Sequence, residues 1–292
     1  MCDENAFEDM LIHLRNNNDV TRRRFGALSL GAGLVTLLPR AADAAEVVEA
    51  DVEIKTADGT ADAYFVHPAK GKSAGVLVWP DAGGLRPAFR QMGKRLAESG
   101  YSVLVPNPFY RTRRASTTNG VMNVQDEATR NAMMASMRSL NATTHVTDAQ
   151  AFVPWLDAQA SVNKRRKLGT TGYCMGGPIT MRTAAAFPDR IGAAGSFHGG
   201  GLVSDGADSP HLLVSKMKAQ YLIAIAESDD QRQPEAKTVL REAFAKAKLS
   251  AEIEVYTGTQ HGWCPPDGAV YNEAQAERAW TRMLALFKKA LA

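Results

Sequence analysis

The chain has 292 residues, 45% hydrophobic and 22% charged, with a net charge of +3, the ordinary composition of a soluble globular protein. That charge is too small and too scattered for a nucleic-acid surface; Arg111, Arg113 and Arg114 and the run Lys164 to Lys167 read as solvated surface. The three cysteines, Cys2, Cys174 and Cys264, form no C-x-x-C, no metal-ligand spacing and no disulfide framework.

The chain opens on a segment of its own. Thr21-Arg22-Arg23-Arg24-Phe25 is followed by an apolar run from Leu28 to Leu38, then Arg40 and Ala42-Asp43-Ala44. That order of basic region, apolar region and A-x-A site reads as a signal peptide over residues 1–44. The apolar run is too short to stay in a bilayer as an anchor. The paired arginines resemble a twin-arginine signal, an address read by the export machinery for proteins that travel folded. The expectation is a periplasmic or secreted mature chain from Ala45, with residues 45–292 as one domain and no stable membrane anchor after cleavage.

From there the reading starts with strands. Val52 to Thr56 alternates at period two, Asp58-Gly59 makes a turn, and Ala61 to Val66 returns as the hairpin partner. Ala74 to Trp79 is a continuous apolar run, as expected for a parallel strand covered on both faces. It ends in the turn cluster Pro80-Asp81-Ala82-Gly83-Gly84-Leu85. Phe89, Met92, Leu96 and Ala97 then recur at helical spacing until Gly100. Tyr101 to Pro106 is the next strand, and residues 107–121 read as irregular.

Gln125 to Leu140 reads as a helix whose Met133, Met134 and Met137 suit plastic core packing, and Val146 to Ala160 as another. Lys167 to Thr171 is a strand and Ile179 to Phe187 a helix. Ile191 to Phe197 is a strand ending at His198, and residues 202–218 read as loop or short helix. Tyr221 to Ala226 is a strand ending at Glu227-Ser228-Asp229-Asp230. Glu235 to Ala247 is a helix and Ala251 to Tyr256 a strand. Gln260 to Pro266 is a loop, and Asn272 to Leu291 is the closing helix. Strands alternating with helices specify a doubly wound, mostly parallel α/β sheet with helices on both faces. Sites in such sheets lie beyond the carboxyl ends of the strands.

Between strand and helix lies Gly172-Tyr173-Cys174-Met175-Gly176-Gly177. A small residue on either side of a nucleophile in a strand-to-helix turn is the nucleophile elbow of an α/β-hydrolase fold, here with cysteine in place of serine. A buried structural cysteine in a glycine-rich turn would look the same in isolation. The remaining strand ends separate the two readings. Asp229 follows Cys174 and His261 follows Asp229, the nucleophile–acid–histidine order of that fold. Asp230 is the neighbouring alternative for the acid. A thiol needs a base, and the base needs a group to orient it. The developing oxyanion needs two donors: the N–H of Met175 at the helix start and one near Ala82. Asp81, Arg86, His198 and Trp263 are candidate pocket residues, His198 being equally readable as a polar residue at a sheet rim.

These segments resemble the dienelactone hydrolase family. The resemblance runs from about Val52 to the C-terminus. It is carried by Trp79-Pro80-Asp81-Ala82-Gly83-Gly84, by Gly100-Tyr101 before Val105-Pro106, by Gly172 to Gly177, by Asp229 with Pro234, and by His261-Gly262. It implies hydrolysis of a lactone or another small-molecule carboxylic ester through a Cys174–Asp229–His261 triad and a thioester, with no metal and no cofactor. Two positions depart from the family pattern. The best-known members hold the resting thiol with a glutamate where this chain has Asp81, and they bind a substrate carboxylate with an arginine just beyond the histidine. Here that segment is Gly262-Trp263-Cys264-Pro265-Pro266, so Arg86 and Arg111 are the candidate replacement contacts. Two other classes compete: a thiol redox or sensor protein using Cys174 and Cys264, and a catalytically silent binding domain on the same fold. The first lacks C-x-x-C; the intact triad order argues against the second. Cys264 reads as a small buried residue packed beside Trp263, outside any disulfide.

Overall fold

The computed structural model describes residues 44–115 and 126–292. The export signal read in residues 1–44 therefore falls outside them except for Ala44.

Val47–Thr56 (β1) and Gly59–Pro68 (β2) form an antiparallel hairpin in which Thr56 faces Gly59. The turn residues are Ala57 and Asp58, one position earlier than the sequence suggests. Thr56 causes the shift: its Oγ1 accepts from the Asp58 N–H at 3.1 Å and donates to the Gly59 carbonyl at 3.2 Å. Gly59 then takes a φ of 140°, which glycine alone adopts cheaply.

The remaining strands are β3 (Gly75–Trp79), β4 (Ser102–Pro106), β5 (Leu168–Tyr173), β6 (Ile191–Phe197), β7 (Gln220–Ala226) and β8 (Ala251–Tyr256). Together they make one eight-stranded sheet ordered β1-β2-β4-β3-β5-β6-β7-β8. β2 joins β4 antiparallel, and every pairing from β4 through β8 is parallel. The helices among the described residues are α1 (Pro87–Glu98), α2 (Glu127–Arg138), α3 (Ala142–Asp157), α4 (Gly176–Ala186), α5 (Glu227–Arg232), α6 (Ala236–Lys246) and α7 (Glu273–Ala290), with a 3-10 segment at Pro210–Lys216.

β3 shows why its run is apolar throughout. All five residues are buried. Leu77 and Trp79 enter the core under α2, α3, α4 and α6, which also holds Met133, Met134 and Met137. Val76 and Val78 point the other way, into the core under α1 and α7. This is the expected doubly wound α/β-hydrolase architecture, with helices on both faces. The chain leaves β3 for β4 on one side and then returns past it to β5 on the other. That reversal is a topological switch point, and the crevice at its carboxyl end is where open α/β sheets place ligands. The ends of β3 and β5 carry Ala82 and Cys174.

Two helix starts move by three residues or more from the sequence reading, and one helix is additional. α3 begins four residues early, at Ala142, because Asn141 and Thr144 form a reciprocal capping box. α4 begins at Gly176 rather than Ile179, since tertiary contacts there override the low helix propensity of Gly176 and Gly177. α5 is an additional short helix, so Asp229 and Asp230 lie in a helical turn and not in the loop expected after the strand.

Candidate active site

The elbow is shaped by what glycine leaves out. A Cβ on Gly172 would lie 1.9 Å from the Gly176 carbonyl oxygen, and one on Gly176 would lie 2.4 Å from the Trp79 carbonyl oxygen. Only bare backbone lets α4 start this close to β5 and to the end of β3. The two oxyanion candidates, Ala82 after β3 and Met175 before α4, are brought together by that approach. Among the described residues, no acceptor takes the N–H of either one.

Between the glycines, Cys174 holds a left-handed φ of 55°, a conformation costing about 1–3 kcal/mol for a residue with a Cβ. Its own backbone is fixed at both ends. The Cys174 N–H donates to the Phe197 carbonyl at 3.1 Å, and its carbonyl accepts from the Gly177 N–H at 3.0 Å. The side chain is 6% exposed.

His261 stands in the loop after β8. Its Nδ1 lies 3.0 and 2.9 Å from the two carboxylate oxygens of Asp229, and its ring also hydrogen-bonds the Cys174 side chain. The loop is tied down because the His261 N–H donates to Ser228 Oγ at 2.9 Å. Burial opposes a charge on His261, but the charges of Asp229 and Cys174 and the hydrogen bonds to both outweigh it. The imidazole is held well above its ordinary value. Arg232, one helical turn beyond Asp229 in α5, also donates to Asp229 Oδ1. The neighbouring Asp230 turns away, to Lys237 Nζ at 2.6 and 2.7 Å.

The other predicted site residues are distributed differently from the expectation. His198 is fully buried at a φ of 40°. Its ring meets His261 edge-on at 5.3 Å between centroids, and neither ring nitrogen has a hydrogen-bond partner among the described residues. Burial, then the charge of His261, pushes it well below its ordinary value. It is a neutral wall behind the histidine and not a solvent-facing pocket residue. Trp263 is also fully buried, stacked on Tyr256 at 4.9 Å in the core under α1 and α7. Its indole packs the core and does not face the site.

Arg86 and Arg111 do not offer themselves to a substrate anion. Arg111 bonds Asp148 through Nη1 at 3.0 Å and Nη2 at 2.6 Å, and Asp58 through Nε at 2.9 Å. Arg86 is 5% exposed and spans Asp81 and Asp267. Asp81 is occupied in turn: its Oδ1 accepts from the Gly83 N–H at 2.8 Å as well as from Arg86 Nη1 at 2.6 Å. It is a turn former and an ion-pair partner here, where the family resemblance places a thiol-holding glutamate. Spacing gave no sign of the roles of Ser228, Arg232 and Asp267. Only the Asp229/Arg232 separation could have been read, once α5 was known to be a helix.

Cys174 and Cys264 are not in a disulfide. Cys174 belongs to the core under α3 and α4, while Cys264 lines a small cleft with Tyr173, Arg95 and Glu277 on the α1 and α7 side. Burial pushes the Cys264 thiol well above its ordinary value, the setting of an inert packing cysteine. Among the described residues no group of three or more His, Cys, Asp or Glu side chains could hold a metal ion.

A sulfur at a helix start, a carboxylate-oriented imidazole and two unclaimed N–H groups are together suited to acyl transfer. Comparison with known proteins points the same way. A protein of Methylorubrum extorquens provisionally named a carboxymethylenebutenolidase is 26% identical, covering 97% of this chain and 98% of its own. The carboxymethylenebutenolidase of Rhodococcus opacus is 24% identical over 80% of this chain and 88% of its own. Among solved structures, a dienelactone hydrolase-like promiscuous phosphotriesterase from metagenomic libraries superposes with a TM-score of 0.70 at 21% identity, covering 84% of this chain and 99% of that one. The model of the Dienelactone hydrolase family matches residues 61–291. Matched over that span, the chain is a hydrolase and belongs to the dienelactone hydrolase family.

Proposed function

We propose that the protein hydrolyses a lactone or another carboxylic ester by way of a thioester on Cys174, with His261 as acid and base and Asp229 as its orienting group. The observation that carries this reading is the His261 ring, which bridges the Asp229 carboxylate and the Cys174 sulfur. His261, held above its ordinary value, favours a negative charge on the sulfur beside it, and so does the N-terminus of α4. The thiolate attacks the ester carbonyl, and the oxyanion receives hydrogen bonds from the Ala82 and Met175 N–H groups. His261 gives its proton to the departing alkoxide, which in a lactone stays tethered to the acyl chain. Neutral His261 then takes a proton from water as that water attacks the thioester. The second collapse returns the thiolate and the imidazolium.

Asp81 is engaged by Arg86 and Gly83, so this reading gives the resting thiolate no second carboxylate to release it. Iodoacetamide is therefore expected to alkylate Cys174 before any ester is added, and to abolish p-nitrophenyl acetate turnover in proportion to that alkylation. Turnover that survives complete alkylation of Cys174 overturns the reading. Peptide mapping separates this loss from modification of Cys264, whose thiol is held well above its ordinary value and has no histidine to activate it, so it should label slowly.

A further inference from the structure

The two loops that carry the proposed chemistry come from opposite regions of the sheet. Ala82 follows β3 and His261 follows β8, and β5, β6 and β7 lie between those strands. At about 4.8 Å per strand spacing the two strands run nearly 20 Å apart, so no ladder hydrogen bond connects them. A side chain does.

The Arg86 guanidinium bonds Asp81 with Nη1 at 2.6 Å and Nη2 at 3.1 Å, and Asp267 with Nε at 2.7 Å and Nη2 at 2.9 Å. Its remaining Nη1 hydrogen reaches the Gly84 carbonyl at 3.4 Å. All five donors of the planar fork are thus used. Its plane is fixed by the Phe89 ring, 4.9 Å from the guanidinium carbon. Burial opposes the charge of Arg86, but the two carboxylates outweigh it and hold the guanidinium above its ordinary value. At one end, Asp81 Oδ1 also accepts the Gly83 N–H, so the oxygen gripped by Arg86 is the one that shapes the turn around Ala82. At the other end, Asp267 belongs to the loop that carries His261.

Burying one charge and half-burying two more to join two loops is a poor route to stability, since well-packed apolar side chains of similar volume commonly do as well or better. Fixing register is the better-attested use of such a network. We propose that Arg86 is a positioning residue that sets the oxyanion loop against the histidine loop, so that the Ala82 donor and the His261 base act on one carbonyl. This rests on the proposed thioester reading.

The test uses two reactions of the full protein. Alkylation of Cys174 by iodoacetamide needs the sulfur, His261 and Asp229 but no oxyanion donor; hydrolysis of p-nitrophenyl acetate needs both loops. Arg86→Lys keeps a charge but cannot grip two carboxylates at once, Arg86→Met removes the charge, and Asp267→Asn weakens the far end alone. All three are expected to alkylate at the wild-type rate with the wild-type pH profile. Their kcat should fall by about 10- to 100-fold, the scale of a misplacement near 1 Å, with Arg86→Met worst and KM changing less than about threefold. Unchanged kcat in folded variants overturns the proposal. So does a fall in alkylation that matches the fall in kcat, because the loss then lies in the triad or in the whole fold. Asp267→Asn decides the matter if Arg86→Met does not fold. Failure of the thioester reading itself would show separately, as wild-type protein whose turnover ignores alkylation.

Discussion

Cys174→Ala is expected to lower kcat/KM for p-nitrophenyl acetate by about four orders of magnitude, and adding His261→Ala should cost little more, because groups that act as one unit lose their effect together. The sulfur has no stand-in within the elbow: its neighbours along the turn are Tyr173, Met175 and glycines. His261 in turn has no substitute base. His198 packs against it at 5.3 Å, but burial and the charge of His261 keep that second imidazole neutral and low in basicity. The residual activity of the double variant comes from substrate binding and the two N–H donors. Full additivity of the two losses would mean that cysteine and histidine act in separate steps. Steady-state kinetics on the two single variants and the double variant decides between these.

Asp229→Asn is expected to cost less than either loss, because an amide keeps the geometry but no longer stabilises the charge of the ring and can leave it in the wrong tautomer. The sign of the accompanying pH change follows from the contacts. The Asp229 charge is the largest influence raising His261 against the opposing effect of burial, with Cys174 next, while Arg232 faces Asp229 from α5 and His198 faces the ring from β6. Removing Asp229 lowers His261, so the alkaline limb of the kcat/KM profile should move to lower pH. Stability follows the same linkage. A raised histidine contributes fully below its unfolded value, near 6.5, and that contribution fades as pH rises through the elevated folded value. The Asp229→Asn protein should therefore lose stability most on the acid side of neutrality. Asp230→Asn should leave both profiles within about twofold of wild type, since its Lys237 partner makes a part-exposed ion pair of at most about 1 kcal/mol. Reversed behaviour of the two aspartates would move the acid to Asp230.

Where local pattern dominates, the sequence was enough. β6 and β8 begin and end at the residues the sequence reading assigned to them, and the glycines around Cys174 marked the elbow because that turn can be made in few other ways. Asp229 and Asp230 were both open as the acid, because the turn that presents them is α5, a helix too short and too polar to show a period. The N-terminus of α4 was hidden by the same glycines that identify the elbow, since their helix propensity is low and only close packing, of Gly176 against Trp79 and of Gly177 against Ser196 and Gly199, explains them. Arg86 and Arg111 looked like spare cations because an arginine's partners need not lie near it in sequence. Asp267 is 181 residues from Arg86, and Asp58 is 53 from Arg111. Trp263 and His198 sit beside the histidine in the chain or in the sheet, but whether a side chain there faces substrate or core depends on a face that spacing does not specify.

The most direct measurement is acid quenching of the enzyme during p-nitrophenyl acetate turnover, followed by peptide mass analysis. The account predicts one acetyl group on the peptide containing Cys174, labile to hydroxylamine as a thioester is, and absent from Cys174→Ala. An acetyl group found instead on another residue, or undiminished turnover by the Cys174→Ala protein, would contradict it.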